Sequence, residues 1–229
     1  MALEKYKRYD LHSHTKYSEC SLTPVRTALK TALRRGLSGF AITDHNTIRG
    51  ALEAKKLLSG SFGRAFRDRG FEFIVGEEIL TDKGEVLAYY LNSEIKPGKI
   101  LDVIDSAREQ GALISIAHPY TVFRKSLRAD LSEIRGKIDA LECFNSRNIM
   151  PGRNAFAERA AERNNLGKTA GSDSHFWFEI GRAFTKFPES MTLCDAVRKR
   201  KASVSGTTIY SPPGFLLSAF SKALNAIKK

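Results

Sequence analysis

The sequence predicts an α/β barrel in one domain, and three observations carry that expectation. Short apolar runs that read as buried strands alternate with helical patterns, as in parallel βα units. The strand candidates number seven or eight, enough to close a barrel. Histidines and acids follow directly on several of the apolar runs, at the strand ends where an α/β barrel places its functional groups.

YDLHSHT opens with a strand that runs into His12 and His14. Apolar residues at helical spacing over 25–35 give the first helix, and GFAITDH gives a second strand ending at His45. Residues 47–58 read as a helix, and 59–70 (SGSFGRAFRDRG) as a flexible linker or lid. Strands are expected over 71–79 and 85–91, a helix over 99–110, and in ALISIAHP a strand that leads to His118. A strand over 138–144, a helix over 151–164 and the strand of KTAGSDSH, which runs into Asp173 and His175, continue the alternation; 183–187 is a last strand candidate. Beyond Ser211-Pro212-Pro213, Phe215, Leu216, Ala219, Phe220, Ala223, Leu224 and Ile227 recur at helical spacing. Residues 211–229 are therefore expected to form an amphipathic helix packed on a barrel spanning 1–210, with binding to a membrane surface or a partner as the alternative.

All five histidines fall within these strand-end segments, and a carboxylate stands beside or near the imidazole in three of the four. Surface or capping histidines are the plain alternative, but it has to be invoked five times over. The set reads as one polynuclear metal centre. Imidazole mixed with carboxylate suits zinc, manganese or iron, and ligand type alone does not choose among them. Glu77 and Glu78 are neighbours on a strand and point to opposite faces, so only one enters the site. Asp44 is either a partner that orients an imidazole or the N-cap of the helix at 47–58. Asn145 and Arg147 follow the strand LECF at the expected mouth, where an amide can position substrate and a guanidinium can grip phosphate. The alternative for this pair is an Asn-Ser loop with a solvated arginine.

DLHSHTKYSECSLTP, GFAITDHNTIRG, GEEI, IAHPY, LECFNSR and GSDSH resemble, in order and spacing, the segments of the PHP (polymerase and histidinol phosphatase) metallophosphoesterases. The resemblance runs from about Tyr9 to about Lys201. It implies a distorted, TIM-like, seven-stranded (β/α) barrel whose mouth holds two to three divalent metal ions. It also implies hydrolysis of phosphate mono- or diesters, in nucleotides or short oligonucleotides for members of the small stand-alone type. His12, His14, Glu78 and Asp173 would hold a first metal, Glu78 and His118 a second, and Glu19, His45 and His175 a third, with catalysis centred on Glu78, Asp173 and His118. Two positions depart from the pattern. Glu19, followed by Cys20, stands where the family commonly has Asp or His followed by glycine, and Leu87 stands where larger relatives carry a histidine. The second site is therefore expected to be labile.

The chemistry explains the cluster. A phosphoester is anionic, repels hydroxide and has a poor leaving group; bound divalent ions lower the pKa of water from about 16 towards about 7 and clamp the attacking and leaving oxygens. A metal-activated hydroxide is the expected nucleophile, and the sequence carries no GxSxG elbow.

At 229 residues and 42% hydrophobic the chain can bury one large core. No apolar run is long enough to span a bilayer and MALEKYKRYD lacks the apolar stretch of a secretory signal, so the expectation is a cytoplasmic protein. Cys20, Cys143 and Cys194 lack CxxC spacing and read as reduced thiols, with Cys20 placed near metal by its neighbour Glu19. A net charge of +12, with basic clusters at 64–69, 124–128, 198–201 and 228–229, favours a polyanionic partner such as an RNA or DNA oligonucleotide. Two other readings keep the fold: a nucleic-acid-binding subunit of a larger complex, against which the retained metal ligands argue, and a small-metabolite phosphatase of the histidinol phosphate type. The oligomeric state is not legible.

Overall fold

The structure, a computed structural model, describes residues 5–121, 126–127 and 130–208. In chain order the elements are β1 (Tyr6–Asp10), α1 (Val25–Arg34), β2 (Gly39–Ile42), α2 (Arg49–Ser59), α3 (Arg64–Arg67), β3 (Glu72–Thr81), β4 (Gly84–Tyr89), α4 (Ile100–Glu109) and β5 (Leu113–Ile116). They continue with α5 (Leu131–Ile134), β6 (Ala140–Asn145), α6 (Arg153–Arg163), β7 (Gly167–Gly171), β8 (Ala183–Pro188), α7 (Leu193–Arg198) and β9 (Ser203–Gly206).

Among the described residues nine strands form one sheet, in the order β7-β6-β5-β4-β3-β2-β1-β8-β9. β1 to β7 make the wall of a nearly closed barrel. Its two ends meet where the chain beyond β1 lies along β7: Leu11 N donates to Ala170 O (3.3 Å), Asp173 N to His12 O (2.8 Å) and His14 N to Ser174 O (2.8 Å). Gly171 permits that approach, because a Cβ there would collide with the backbone of His12. The expected seven strands are thus present as the wall, and β8 and β9 add an antiparallel pair alongside β1.

β4 breaks the expected run of parallel βα units, being antiparallel to both β3 and β5. The cause is local. Only Asp82 and Lys83 separate β3 from β4, and Gly84 turns the chain with φ 130°; so short a link makes a hairpin and cannot make a crossover. In consequence the amino end of β4, rather than its carboxyl end, lies at the mouth.

β2 (GFAI) and β5 (LISI) are buried throughout, as strands covered on both faces are. α1 buries Val25, Ala28, Leu29 and Ala32, and α4 buries Ile100, Val103, Ile104 and Ala107; both are single apolar stripes laid on the barrel. Inside, Leu11, Ala41, Ile74, Leu87, Tyr89 and Leu113 pack together beneath the mouth. At the far end Tyr9 and Tyr90 both donate to Glu72 (2.6 and 2.7 Å) and close the floor.

The segment 59–70 is a packed turn and not a linker or lid. Phe66 is buried between the rings of Phe62 (5.3 Å) and Phe71 (5.2 Å), and Arg67 Nη1 donates to Leu58 O (2.6 Å). The sequence reading also passed over α5 and α7. The amphipathic segment expected at 211–229 lies outside the described residues. No helix among the described residues is long and apolar enough to cross a membrane.

Candidate metal centre

His12 and His14 continue β1, His45 follows β2, Glu78 lies in β3, His118 follows β5, and Asp173 and His175 follow β7. All seven meet at one end of the barrel. Ring centroids of His12 lie 5.9 Å from His118 and 5.1 Å from His14, and those of His14 lie 4.4 Å from His45 and 4.5 Å from His175. Glu78 stands at the middle. Its Oε1 is 3.3 Å from His12 Nε2 and 3.1 Å from His118 Nε2; its Oε2 is 3.3 Å from His14 Nε2 and 2.9 Å from His45 Nδ1. Asp173 Oδ1 lies 3.3 Å from His14 Nε2, 3.8 Å from His12 Nε2 and 3.5 Å from His175 Nδ1.

These residues fit divalent cations. His12 Nε2, His14 Nε2 and Glu78 Oε2 are buried without a hydrogen-bond partner, a costly state for polar atoms that a cation relieves. Three sets of donor atoms each lie within 4.8 Å of one another: His12, His14 and Asp173; His14, His45 and His175; and His45, Glu78 and Glu85. Ligand atoms about 2.0–2.2 Å from a common ion sit about 3–3.5 Å apart. The sets therefore need only a slight contraction.

The alternatives left open by the sequence resolve as follows. Glu78 enters the site, whereas Glu77 points outward and accepts from Ile95 N (3.0 Å), its carboxyl pushed up to about 7 by burial. Glu19 is exposed and lies outside the three donor sets, and Cys20 beside it is buried. Leu87 stands directly opposite Glu78 and is fully buried. Two residues away on the same face, Glu85 brings Oε2 to 3.5 Å from His118 Nε2, a carboxylate the sequence reading missed. The two-residue turn and the alternation along β4 were its signal.

A second layer of polar side chains fixes the first. Glu142, 1% exposed, meets His12 Nδ1 (2.8 Å) and accepts from His118 N (2.8 Å) and Asn145 Nδ2 (3.0 Å). Asn145 Nδ2 also donates to Asp173 Oδ2 (3.1 Å). Arg147 is buried, with Nη1 3.4 Å from Glu179 Oε2, the oxygen that accepts from His175 N (2.7 Å). Asn145 and Arg147 therefore hold Asp173 and the His175 loop, and their burial overturns the solvated-loop alternative. Asp44 accepts from Thr15 N (2.6 Å), Thr15 Oγ1 (2.7 Å) and Ser18 Oγ (2.7 Å), and Ser18 Oγ lies 3.3 Å from His14 Nδ1. It orients an imidazole through Ser18; the residue capping α2 is Ile48.

Electrostatics follow from the packing. Burial opposes charge on the His12 ring, but the carboxylates of Glu142, Glu78 and Asp173 hold its pKa well above the ordinary value; Glu78 does the same for His45. Burial and the neighbouring His45 push His14 down to about 4. Burial and Glu78 raise Glu85 to about 7. Without metal the cage keeps protons, and an entering cation displaces them. His118 (φ 26°) and Asp173 (φ 52°) occupy the left-handed region, a strain of order 1–3 kcal/mol each that the surrounding bonds sustain.

Fold and site together define the class: an α/β barrel whose mouth gathers imidazoles and carboxylates able to bind metals. The PHP domain profile matches residues 10–139, and a PHP-associated profile matches residues 151–202. The chain belongs to the PHP family. It is 36% identical over 148 residues to the uncharacterized protein MJ1587 of Methanocaldococcus jannaschii, covering 60% of this chain and 81% of that one. To MJ0417 of the same organism it is 33% identical over 190 residues, 80% of this chain and 71% of the relative. A two-domain protein from Bacteroides vulgatus, described as containing a predicted PHP-like metal-dependent phosphoesterase, superposes with a TM-score of 0.70 at 18% identity, over 95% of this chain and 70% of that chain. PsfC from Pseudomonas syringae gives 0.63 at 16% identity, over 98% and 100% of the two chains.

Proposed function

We propose that the protein is a metal-dependent phosphoesterase that hydrolyses phosphate mono- or diesters of nucleotides or short oligonucleotides. One observation carries the reading: a buried carboxylate, Glu78, set among four imidazoles with donor atoms left without partners, in a chain of the PHP family. His12, His14, Glu78 and Asp173 would hold the first ion, Glu78, His118 and Glu85 the second, and His45 and His175 the third, the ions being manganese, zinc or iron. When bound, such ions supply an activated hydroxide and neutralise the charge of the ester. The chain's own part is to present dry, oriented ligands: Glu142 sets His12, Asn145 sets Asp173, and Glu179 sets the loop of His175.

The basic charge supports an anionic substrate less directly than its total suggests. Arg64, Arg67 and Arg69 precede β3, and Arg198 pairs with Asp139 just before β6 (2.9 Å), so both clusters lie at the end opposite the histidines. Lys16 and Arg49, each 5.2 Å from the Tyr17 ring, are basic groups at the mouth. The clusters at 124–128 and 228–229 lie largely outside the described residues; the placement of the other two clusters keeps the small-metabolite phosphatase as the second reading.

The test is a screen of the manganese-loaded protein against nucleotides, oligonucleotides and sugar phosphates, with His12→Ala and Asp173→Ala alongside. Both variants are expected to lose hydrolysis and most first-site metal. Metal content by elemental analysis that is unchanged in both removes the ligand assignment.

A further inference from the structure

We propose that Trp177 is a stacking platform for a nucleobase, so that the phosphoester presented to the metal centre belongs to a nucleotide. The proposal rests on the phosphoesterase reading and names the group that adjoins the phosphate.

Trp177 is the chain's only tryptophan and lies two residues beyond His175. It is 50% exposed, the highest value among the exposed large apolar side chains of the described residues. Tryptophan is highly buried on average, and an apolar surface left open beside a functional centre marks a binding site. The platform is rigid. Trp177–Glu179 form a single 3-10 turn; Glu179 Oε2 accepts from His175 N (2.7 Å) and Phe176 N (3.1 Å), and Arg35 Nη2 donates to Phe178 O (3.1 Å). Phe176 and Phe178 stack (5.6 Å, 10°), and the indole stands perpendicular to Phe178 (5.8 Å, 84°).

The neighbouring rim extends the apolar surface. Ser21 Oγ and Thr23 Oγ1 donate to the His175 carbonyl (2.7 and 3.1 Å), which ties the segment carrying Leu22, 43% exposed, to His175. Exposed apolar side chains thus stand in the segments next to His175, one of the histidines of the cage. A nucleotide offers both parts: an anion for the cage and a π-face for the indole. A sugar phosphate offers the indole only the small C–H face of its ring, whereas a base offers a planar π-face worth about 1–3 kcal/mol of stacking.

Because Trp177 is the chain's only tryptophan, its fluorescence reports on the platform without turnover. Metal-loaded protein titrated with adenosine 5′-monophosphate should show saturable quenching, and ribose 5-phosphate should not produce it. Where turnover is measured, Trp177→Ala should reduce the kcat/KM preference for the nucleotide over the sugar phosphate by about 5- to 150-fold, mainly through KM, and Trp177→Phe should retain most of the preference. Quenching that is absent or equal with the two ligands, or a preference unchanged in Trp177→Ala, overturns the proposal. Selective quenching in a protein that hydrolyses no phosphoester keeps the platform and defeats the phosphoesterase reading instead.

Discussion

Glu142→Gln separates the orientation of a ligand from the stability of the fold. Glu142 Oε2 accepts from two donors, His118 N and Asn145 Nδ2, while Oε1 faces His12 Nδ1. In the glutamine variant the amide oxygen keeps the two donors, because the opposite orientation would set N–H against N–H. Its NH2 group then faces His12 Nδ1, which has to accept, and the ring proton moves to Nε2, the atom aimed at Glu78 and Asp173. A protonated Nε2 cannot ligate. Losing the partner that orients a metal-binding histidine costs about 10- to 100-fold in affinity, about 1.4–2.7 kcal/mol. Glu142→Ala differs, because it leaves two buried donors unsatisfied at about 1–3 kcal/mol each and destabilises the metal-free fold as well. Competition with a chromophoric chelator measures the first quantity and denaturant unfolding of the metal-free protein the second. Glutamine-variant affinity within about twofold of the parent refutes the tautomer argument; a loss of metal-free stability in the glutamine variant reports instead the charge pair of Glu142 with the His12 ring.

Glu85→Gln should remove an ion from the second site, and Leu87→His added to it should restore one, since residue 87 lies directly opposite Glu78; an unchanged ion count in Glu85→Gln, by elemental analysis, dismisses Glu85 as a ligand. His12 and His45 are held above their ordinary value and Glu85 is raised to about 7, so the folded chain binds these protons more tightly than the unfolded one. Their stabilisation is full below the unfolded values, about 6.5 for histidine and about 4.3 for glutamate, and is lost as pH rises through the folded values. His14, shifted downward, adds stability as pH rises to about 7.5, and Glu78 adds no pH dependence near neutral pH. The thermal midpoint of the metal-free protein should therefore fall between about pH 7.5 and 9, and saturating zinc or manganese should flatten the fall; a midpoint that rises over that range contradicts the charges assigned to the cage. With Lys16 and Arg49 as two basic groups at the mouth among the described residues, the affinity for a single-stranded oligonucleotide should fall with salt at a log–log slope of about −1.4 or steeper; a slope near zero removes both from the interface.

The strands and the residues at their ends were legible because each apolar run is contiguous and its ligand is the next residue or the one after. His12, His45, His118 and Asp173 all announce themselves in this way. Glu142 does not, since its partner His12 lies 130 residues away and nothing near LECF distinguishes a buried acid from an exposed one. Closure of the barrel by residues 11–14 along 170–174 is equally non-local. The reversal of β4 was written in the turn at Asp82 and Lys83, but the expectation of uniform βα units hid it, and Glu85 with it. The basic clusters were visible as composition; only the fold shows that 64–69 and 198–201 lie away from the histidines.

If the proposed centre holds more than one ion, the central place of Glu78 means that they cannot load as strangers. Four imidazoles address the two oxygens of one carboxylate, so each cation that arrives spends charge its neighbours also need and alters the protons still bound around it. The binding constants then belong to the cluster as a whole, and a chelator strips it in steps whose spacing measures how strongly that single carboxylate couples them.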